Sequence, residues 1–384
     1  MVMVALMGIG GAFVIARFLF GIGTVSNLNN QFPWGIWIGI DVASGVALAA
    51  GGFTTGAIAY VFNRNQYHAV IRPALLTAML GYTFVVLGLL VDIGRSWAIW
   101  KPMLHWNFRS VLFEVAMCVM FYLNVLYIEF LPIVAERFKG QVNLPGPLAV
   151  LNAPIDGLLK LADRILPRIM WFFIIAGVVL SCMHQSSLGS LMLIAPTKLH
   201  PLWYTPMLPL LFLTSAIAVG YPMVVFEATL ATTSLKLDSE MPVLTPLTRI
   251  TIFLLGLYLA LKVGDMVVRG TYVYLLDGTA QTNAFIVEML LGVIVPWLML
   301  LSPAVRQSRR LLFIACALIV GGVLVNRINV FVVGYRPPVS EANYFPAIGE
   351  ILVTVGLIAT LMFIYRFLVT HLPVLNKPEQ EVSA

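Results

Sequence analysis

Hydrophobic positions along this chain fall in long unbroken blocks, interrupted at short intervals by Pro, Gly, aromatic and charged residues. Ten blocks stand out, at about 3–22, 35–62, 74–92, 110–133, 168–188, 206–230, 246–268, 282–301, 310–332 and 347–370. A helix needs roughly 20 apolar residues to cross a hydrocarbon core, and these blocks have that length. The runs do not alternate, so membrane strands are not expected. The pattern predicts an all-α, polytopic membrane helix bundle of about ten transmembrane helices. It forms one domain over 1–371, followed by a tail at 372–384. The first block lacks a basic leader and a clear cleavage site, so it is read as a retained helix.

Composition sharpens this picture. Of 384 residues, 60% are hydrophobic and 10% charged, with mean hydropathy +0.95. A soluble domain carries about 25% charged residues. The net charge of +6 is set by topology. With the N-terminal face named side A, side A loops and the C-terminus hold fourteen Lys and Arg, Lys236 and Lys377 among them. Side B loops hold seven, counting Lys262. By the positive-inside rule, side A and both termini are cytoplasmic. No nucleic-acid partner follows from that charge.

The side A segment 134–167 opens as a Pro/Gly linker. It continues with Leu158, Leu159 and Leu161 interleaved with Asp156, Lys160 and Asp163, the pattern of an interfacial amphipathic helix. Side B loops are short and aromatic, as in "SWAIWKPMLHWNF" (96–108). They suit an interfacial belt or a docking surface for an external partner.

Ionisable residues inside a bilayer are costly and mark function. At about 1.5 Å per residue, Asp41, Glu114, Asp92, Arg95 and His184 fall toward side B, with Asp265, Arg269, Glu288 and Glu350. Glu129 and Glu227 fall toward side A. Several of these have plain structural readings. Asp92 with Arg95, and Asp265 with Arg269, are spaced for helix ion pairs. Glu288 and Glu350 sit near helix starts, where acids favour the dipole. Glu114, flanked by "SVLF" and "VAMCVM", and the polar run His184, Gln185, Ser186, Ser187 and Ser190 are harder to place structurally.

Four of the five histidines (His68, His105, His200 and His371) lie in loops or at a helix end, which leaves a bis-histidine haem without its second ligand. Cys118, Cys182 and Cys316 are isolated, with no CxxC to hold a cluster or zinc. No haem and no metal are expected. A quinone suits the side B group better. Its apolar ring comes from lipid, its carbonyls need donors, and its reduction takes two protons that a His and a carboxylate can relay. A secondary transporter is the competing class, although such sites lie nearer the midplane on broken helices.

The stretches "LNNQFPWGIWIGID", "VFNRNQYHAVIRPALL", "VDIGR", "SVLFE", "MHQSSLGSLM" with "HPLW" after it, and "VVFEATL" resemble the integral membrane subunit of respiratory nickel–iron hydrogenases. That subunit, of the hydrogenase-2 type, is often labelled a b-type cytochrome and belongs to the NrfD/polysulfide-reductase membrane family. The resemblance covers nearly all ten helices. It implies a quinone-reactive anchor without haem. Electrons would come from an extracytoplasmic iron–sulfur subunit and the hydrogenase small and large subunits, and pass to menaquinone or ubiquinone. It implies proton-transfer roles for Glu114, His184 and Glu227. The quinone site expected from the side B cluster itself is drawn from His184, Gln185, Ser187, Asp92, Arg95, Asp41 and Trp37. Other quinone-linked oxidoreductases share the scaffold.

Overall fold

A computed structural model describes residues 1–62, 64, 67–235, 241–338, 340 and 343–374. Lys236, Lys377 and the tail from residue 375 lie outside the described residues. Ten helices have the length and apolarity to cross a membrane: α1 Val2–Phe20, α2 Trp37–Val61, α3 Val70–Asp92, α4 Val111–Phe138, α5 Gly146–Ile194, α6 Leu208–Ser234, α7 Met241–Val268, α8 Ala280–Leu301, α9 Arg309–Val333 and α10 Ile348–His371. Among the described residues there is no strand, only an isolated antiparallel bridge between Leu199 and Tyr335. A backbone that cannot bond to water in lipid must satisfy itself, and a helix does so within one segment.

Several starts are set by side chains. Ser110 caps α4 by accepting from Phe113 N at 3.4 Å, Thr279 caps α8 from Thr282 N at 3.2 Å, and Ser308 caps α9 from Leu311 N at 3.5 Å. α2 and α6 are the most buried spans, while α1 and α10 are largely exposed and pack on each other at the edge. Helices α2–α5 form one half and α6–α9 the other, joined where α2 meets α6 and α9 and where α5 meets α6. Three spans contain π-helical turns: Trp37–Ser44 and Ala57–Val61 in α2, Leu290–Ile294 in α8 and Asn329–Val333 in α9.

Two sequence expectations change. In the 134–167 segment a 3-10 turn spans Gly146–Leu151, and the amphipathic stretch after it is not a helix of its own but the start of one continuous α-helix, Asn152–Leu191, 40 residues. Pro154 sits in its first turn, where a missing N–H is harmless. Lys262 is no loop charge. It lies within α7, 3% exposed, with Nζ donating to Leu202 O at 3.1 Å.

Candidate functional site

α3 is the spine along which the polar groups are arranged. Thr77, Tyr82, Gly88 and Asp92 succeed one another from side A toward side B, and each meets a different partner. At about 1.5 Å per residue, these four positions span about 22 Å.

The central level is built by the side B end of α5. Its successive residues fan across three neighbours. His184 Nδ1 meets Tyr82 OH of α3 at 3.3 Å. Gln185 Nε2 donates to Val46 O of α2 at 2.8 Å. Ser187 Oγ donates to Glu114 Oε1 of α4 at 2.5 Å and to Met183 O at 2.8 Å. His184, Gln185 and Ser187 are each 1% exposed or less. Two polar atoms here have no partner among the described residues, His184 Nε2 and Gln185 Oε1. Buried polar atoms are nearly always satisfied, so an orphaned pair marks a place for a ligand or water. Glu114, in contrast, is exposed on the bundle surface in the first turn of α4. There the helix dipole favours an acid.

Nearer side B, Asp41, Glu350 and Arg17 gather around Asp92. Asp92 lies within electrostatic reach of all three. Asp41 Oδ2 accepts from Thr354 Oγ1 of α10 at 2.7 Å, and the bare Cα of Gly88 lets Asp41 approach α3: a Cβ there would lie 3.0 Å from Asp41 Cβ. Arg17 of α1 donates to Val91 O at 2.6 Å and Ile93 O at 2.5 Å, filling the carbonyls that end α3. Trp37, fully buried, donates from Nε1 to Glu350 O at 3.1 Å. Glu350 also accepts from Asn27 N at 2.9 Å, Ala347 N at 3.0 Å and the Tyr344 phenol. Burial, aided by that last bond, holds the Tyr344 phenol above its usual range, so it stays a donor.

Of the sequence candidates, then, His184, Gln185, Ser187 and Glu114 form one group and Asp41, Asp92 and Trp37 another. Arg95 joins neither: it is exposed just past α3, and Arg17 takes the place beside Asp92 expected of it. Asp265 and Arg269 do form the helix ion pair, at 3.0 Å. Glu227 is on the side A half of α6, accepting from Thr77 Oγ1 at 2.7 Å. Apolar-pattern reading passes over Arg17, Tyr82 and Thr354. The sole cation in an apolar first helix is a usable signal for Arg17; nothing in sequence singles out Tyr82.

The second half holds another buried group. Glu288, 2% exposed, accepts from Trp203 Nε1 at 2.9 Å, Asn326 Nδ2 at 2.7 Å and Asn329 Nδ2 at 2.7 Å. Arg327 beside it is fully buried, donating to Asn326 Oδ1 at 2.6 Å and Ser215 Oγ at 2.9 Å, with its guanidinium 3.7 Å over the Phe212 ring. Glu288 is thus a structural acceptor joining α8, α9 and the side B loop at Trp203.

A model of the family described as "Polysulphide reductase, NrfD" matches residues 24–338. The chain belongs to the NrfD family. It is a multi-pass protein of a bacterial membrane. A protein of Nitratidesulfovibrio vulgaris is 38% identical over 95% of this chain and 91% of its own length. The probable Ni/Fe-hydrogenase 2 b-type cytochrome subunit of Escherichia coli is 34% identical, covering 96% of this chain and 90% of that one. The integral membrane subunit of menaquinone reductase from N. vulgaris is 27% identical, over 92% and 86%. Cytochrome in the second name raises the question of haem in this NrfD-family chain. Among the described histidine side chains, His184 is buried in mid-bundle. His105 is exposed in a side B loop, His200 lies in another, and His371 is exposed at the side A end of α10. They offer no pair of axial ligands, and no described group of three His, Cys, Asp or Glu could hold a metal ion.

Proposed function

We propose that this chain is the quinone-reactive membrane subunit of a respiratory oxidoreductase of the nickel–iron hydrogenase type. Side A faces the cytoplasm, and an iron–sulfur protein on side B delivers electrons. The observation that carries this reading is the His184 group: a buried imidazole with one nitrogen engaged by Tyr82 and the other unpartnered, one helical turn from a serine bonded to a surface-exposed carboxylate. When Tyr82 donates to Nδ1, Nε2 carries hydrogen and can donate to a quinone carbonyl. Reduction of a quinone takes two electrons and two protons. His184 and Glu114 supply protons to the two oxygens, Gln185 and Ser187 orient the ring, and the Asp41–Asp92 group with Trp37 borders the site toward side B. Glu227 feeds protons from side A. The relatives' printed names support an oxidoreductase over a transporter, and menaquinone and hydrogenase both stand among them.

The test uses the tagged chain purified with its partners. Glu114→Gln should lower quinone reduction about 10²-fold, the usual weight of a positioned acid or base, while reduction of an artificial dye by the partner is unchanged. Equal loss of both activities would make Glu114 an assembly residue and overturn the assignment. Mass spectrometry of the co-purified proteins tests the partner: a nickel–iron large subunit is expected, and recovery of this chain alone would count against the whole reading.

A further inference from the structure

A cavity of about 290 Å³ lies on the side A half, among α2, α3, α4 and α5, away from the His184 group. Arg72 and Glu136 line one end, paired at 2.8 Å and each substantially exposed. Tyr122 and Gly177 line the other. From Glu136 to Tyr122 along α4 is fourteen residues, about 21 Å, so the cavity runs from the side A surface toward mid-membrane.

At its deep end sits Glu129. The carboxyl makes no hydrogen bond to any described residue, although it lies well inside a membrane span. It has room because residue 177 is glycine: a Cβ there would be 2.9 Å from Glu129 Oε1 and 3.5 Å from the Tyr122 ring. The phenols of Tyr60 and Tyr122 lie within electrostatic reach of the carboxyl. The cavity, with Arg72 and Glu136 at its surface end, gives it room for water, the other source of hydrogen bonds open to an acid in a membrane.

Beyond Glu129 the hydroxyls continue. Tyr122 packs edge-on to Tyr82, ring centroids 4.5 Å apart. Ser181, fully buried one helical turn from Gly177 and from His184's neighbours on α5, lies within electrostatic reach of both phenols. Its Oγ makes no hydrogen bond to any described residue, which leaves the hydroxyl free to turn toward either ring. Tyr82 OH then reaches His184 Nδ1. Along α5, Gly177 and His184 are seven residues apart, so the whole relay spans about 10 Å.

We propose that this cavity is a water-filled proton vestibule open to side A, and that Glu129 loads protons that pass through Tyr122, Ser181 and Tyr82 to His184. This rests on the quinone reading above and adds a route separate from Glu227, which lies across α3 on Thr77. In each transfer a proton from side A water forms an O–H bond on the Glu129 carboxylate. Each hydroxyl gives its proton forward and takes one from behind. Tyr82 passes one to His184 Nδ1, and Nε2 releases its own to the quinone oxygen that has received electrons from the iron–sulfur partner. Net, one proton leaves side A for each one gained by quinone on this route.

Two measurements on the complex test it. In a chain whose Cys118, Cys182 and Cys316 are replaced by alanine, Glu129→Cys should react with a charged methanethiosulfonate applied to side A in sealed vesicles, and not from side B. In proteoliposomes, with reduced methyl viologen as donor and a water-soluble naphthoquinone as acceptor, Glu129→Gln should slow quinone turnover tenfold or more. Its half-saturating quinone concentration should be unchanged, and Glu129→Asp should recover part of the rate. No labelling from side A overturns the vestibule, whatever the turnover. Labelling with Glu129→Gln at the unsubstituted rate, while Glu114→Gln is slow, overturns the proton route alone. If Glu114→Gln and Glu129→Gln both turn over at that rate, the quinone reading itself fails and the route with it.

Discussion

Replacing Glu288 by Gln changes one atom of a buried side chain that accepts three N–H groups and faces no acceptor. Its best orientation keeps oxygen at the Oε2 position, where Trp203 and Asn329 both donate, and turns the new NH2 toward Asn326 Nδ2 at 2.7 Å. Two donors then oppose each other. Asn326 cannot flip without turning its Oδ1 from Arg327, which donates to it at 2.6 Å. A stranded buried donor costs about 1–3 kcal/mol. Removing the anion near Arg327 and Lys262, both buried, adds to this, since breaking a buried pair costs about 3–5 kcal/mol in soluble proteins. Interhelical bonds in membranes average only about 0.6 kcal/mol, which pulls the total down. The expected loss is about 2–5 kcal/mol, the range left when these opposing magnitudes are combined. Thermal unfolding in detergent of a chain with the half-buried Cys182 replaced by alanine, followed with a thiol-reactive fluorogenic dye, reads it directly, because Cys118 and Cys316 are buried until the bundle opens. Adding Asn326→Asp to Glu288→Gln gives the new amide an acceptor and Arg327 its anion, and should recover more than half of the loss. Unchanged melting of the single variant, or a double variant worse than the sum of its parts, would refute the acceptor role.

Glu227→Gln keeps the bond from Thr77 but removes the proton-carrying acid. It should abolish most of the membrane potential generated by quinone reduction in proteoliposomes, and an unchanged potential read by a voltage-sensitive dye would rule that route out. Glu350→Gln leaves Tyr344 and two backbone amides competing for a single oxygen, a loss of about 1–3 kcal/mol by the same reasoning as for Glu288. Its first effect should be faster proteolysis of the side B segment 343–347, with quinone turnover falling later; equal protease resistance would show that Glu350 does not hold that segment.

The ten helices were legible because lipid permits few alternatives: an uninterrupted apolar run of that length has to be a helix. The polar partners were not. Glu288 and Glu350 read as helix-start acids, since spacing within one segment says nothing of donors arriving from Trp203, Asn326 or Tyr344 more distant in sequence. The run "NRIN" at 326–329 was visible inside an apolar block and would have pointed to the second buried group. Lys262 looked like a loop charge because it lies seven residues before Arg269; only the buried Leu202 carbonyl explains its place in α7. The 139–166 segment read as a loop with its own helix because its charges and prolines break the apolar pattern. In the structure those charges pair along the surface, as Lys160 does with Asp156 at 2.5 Å, and the helix runs through.

The π-helical turns of α2, α8 and α9 alter how such a chain tolerates changes of length. A turn closed by i→i+5 bonds holds one residue more than an α turn, so the residues before it are rotated about 100° from where an uninterrupted α-helix would put them. Glu288 lies just before the wide turn at Leu290–Ile294, and Asp41 lies within the one at Trp37–Ser44. Deleting one residue from either turn can restore a regular helix with no break in the backbone ladder, yet swing the acid off its partners. Single-residue gaps between this chain and its relatives therefore have a natural place inside membrane spans, and an alignment that confines gaps to loops will mismatch these acids.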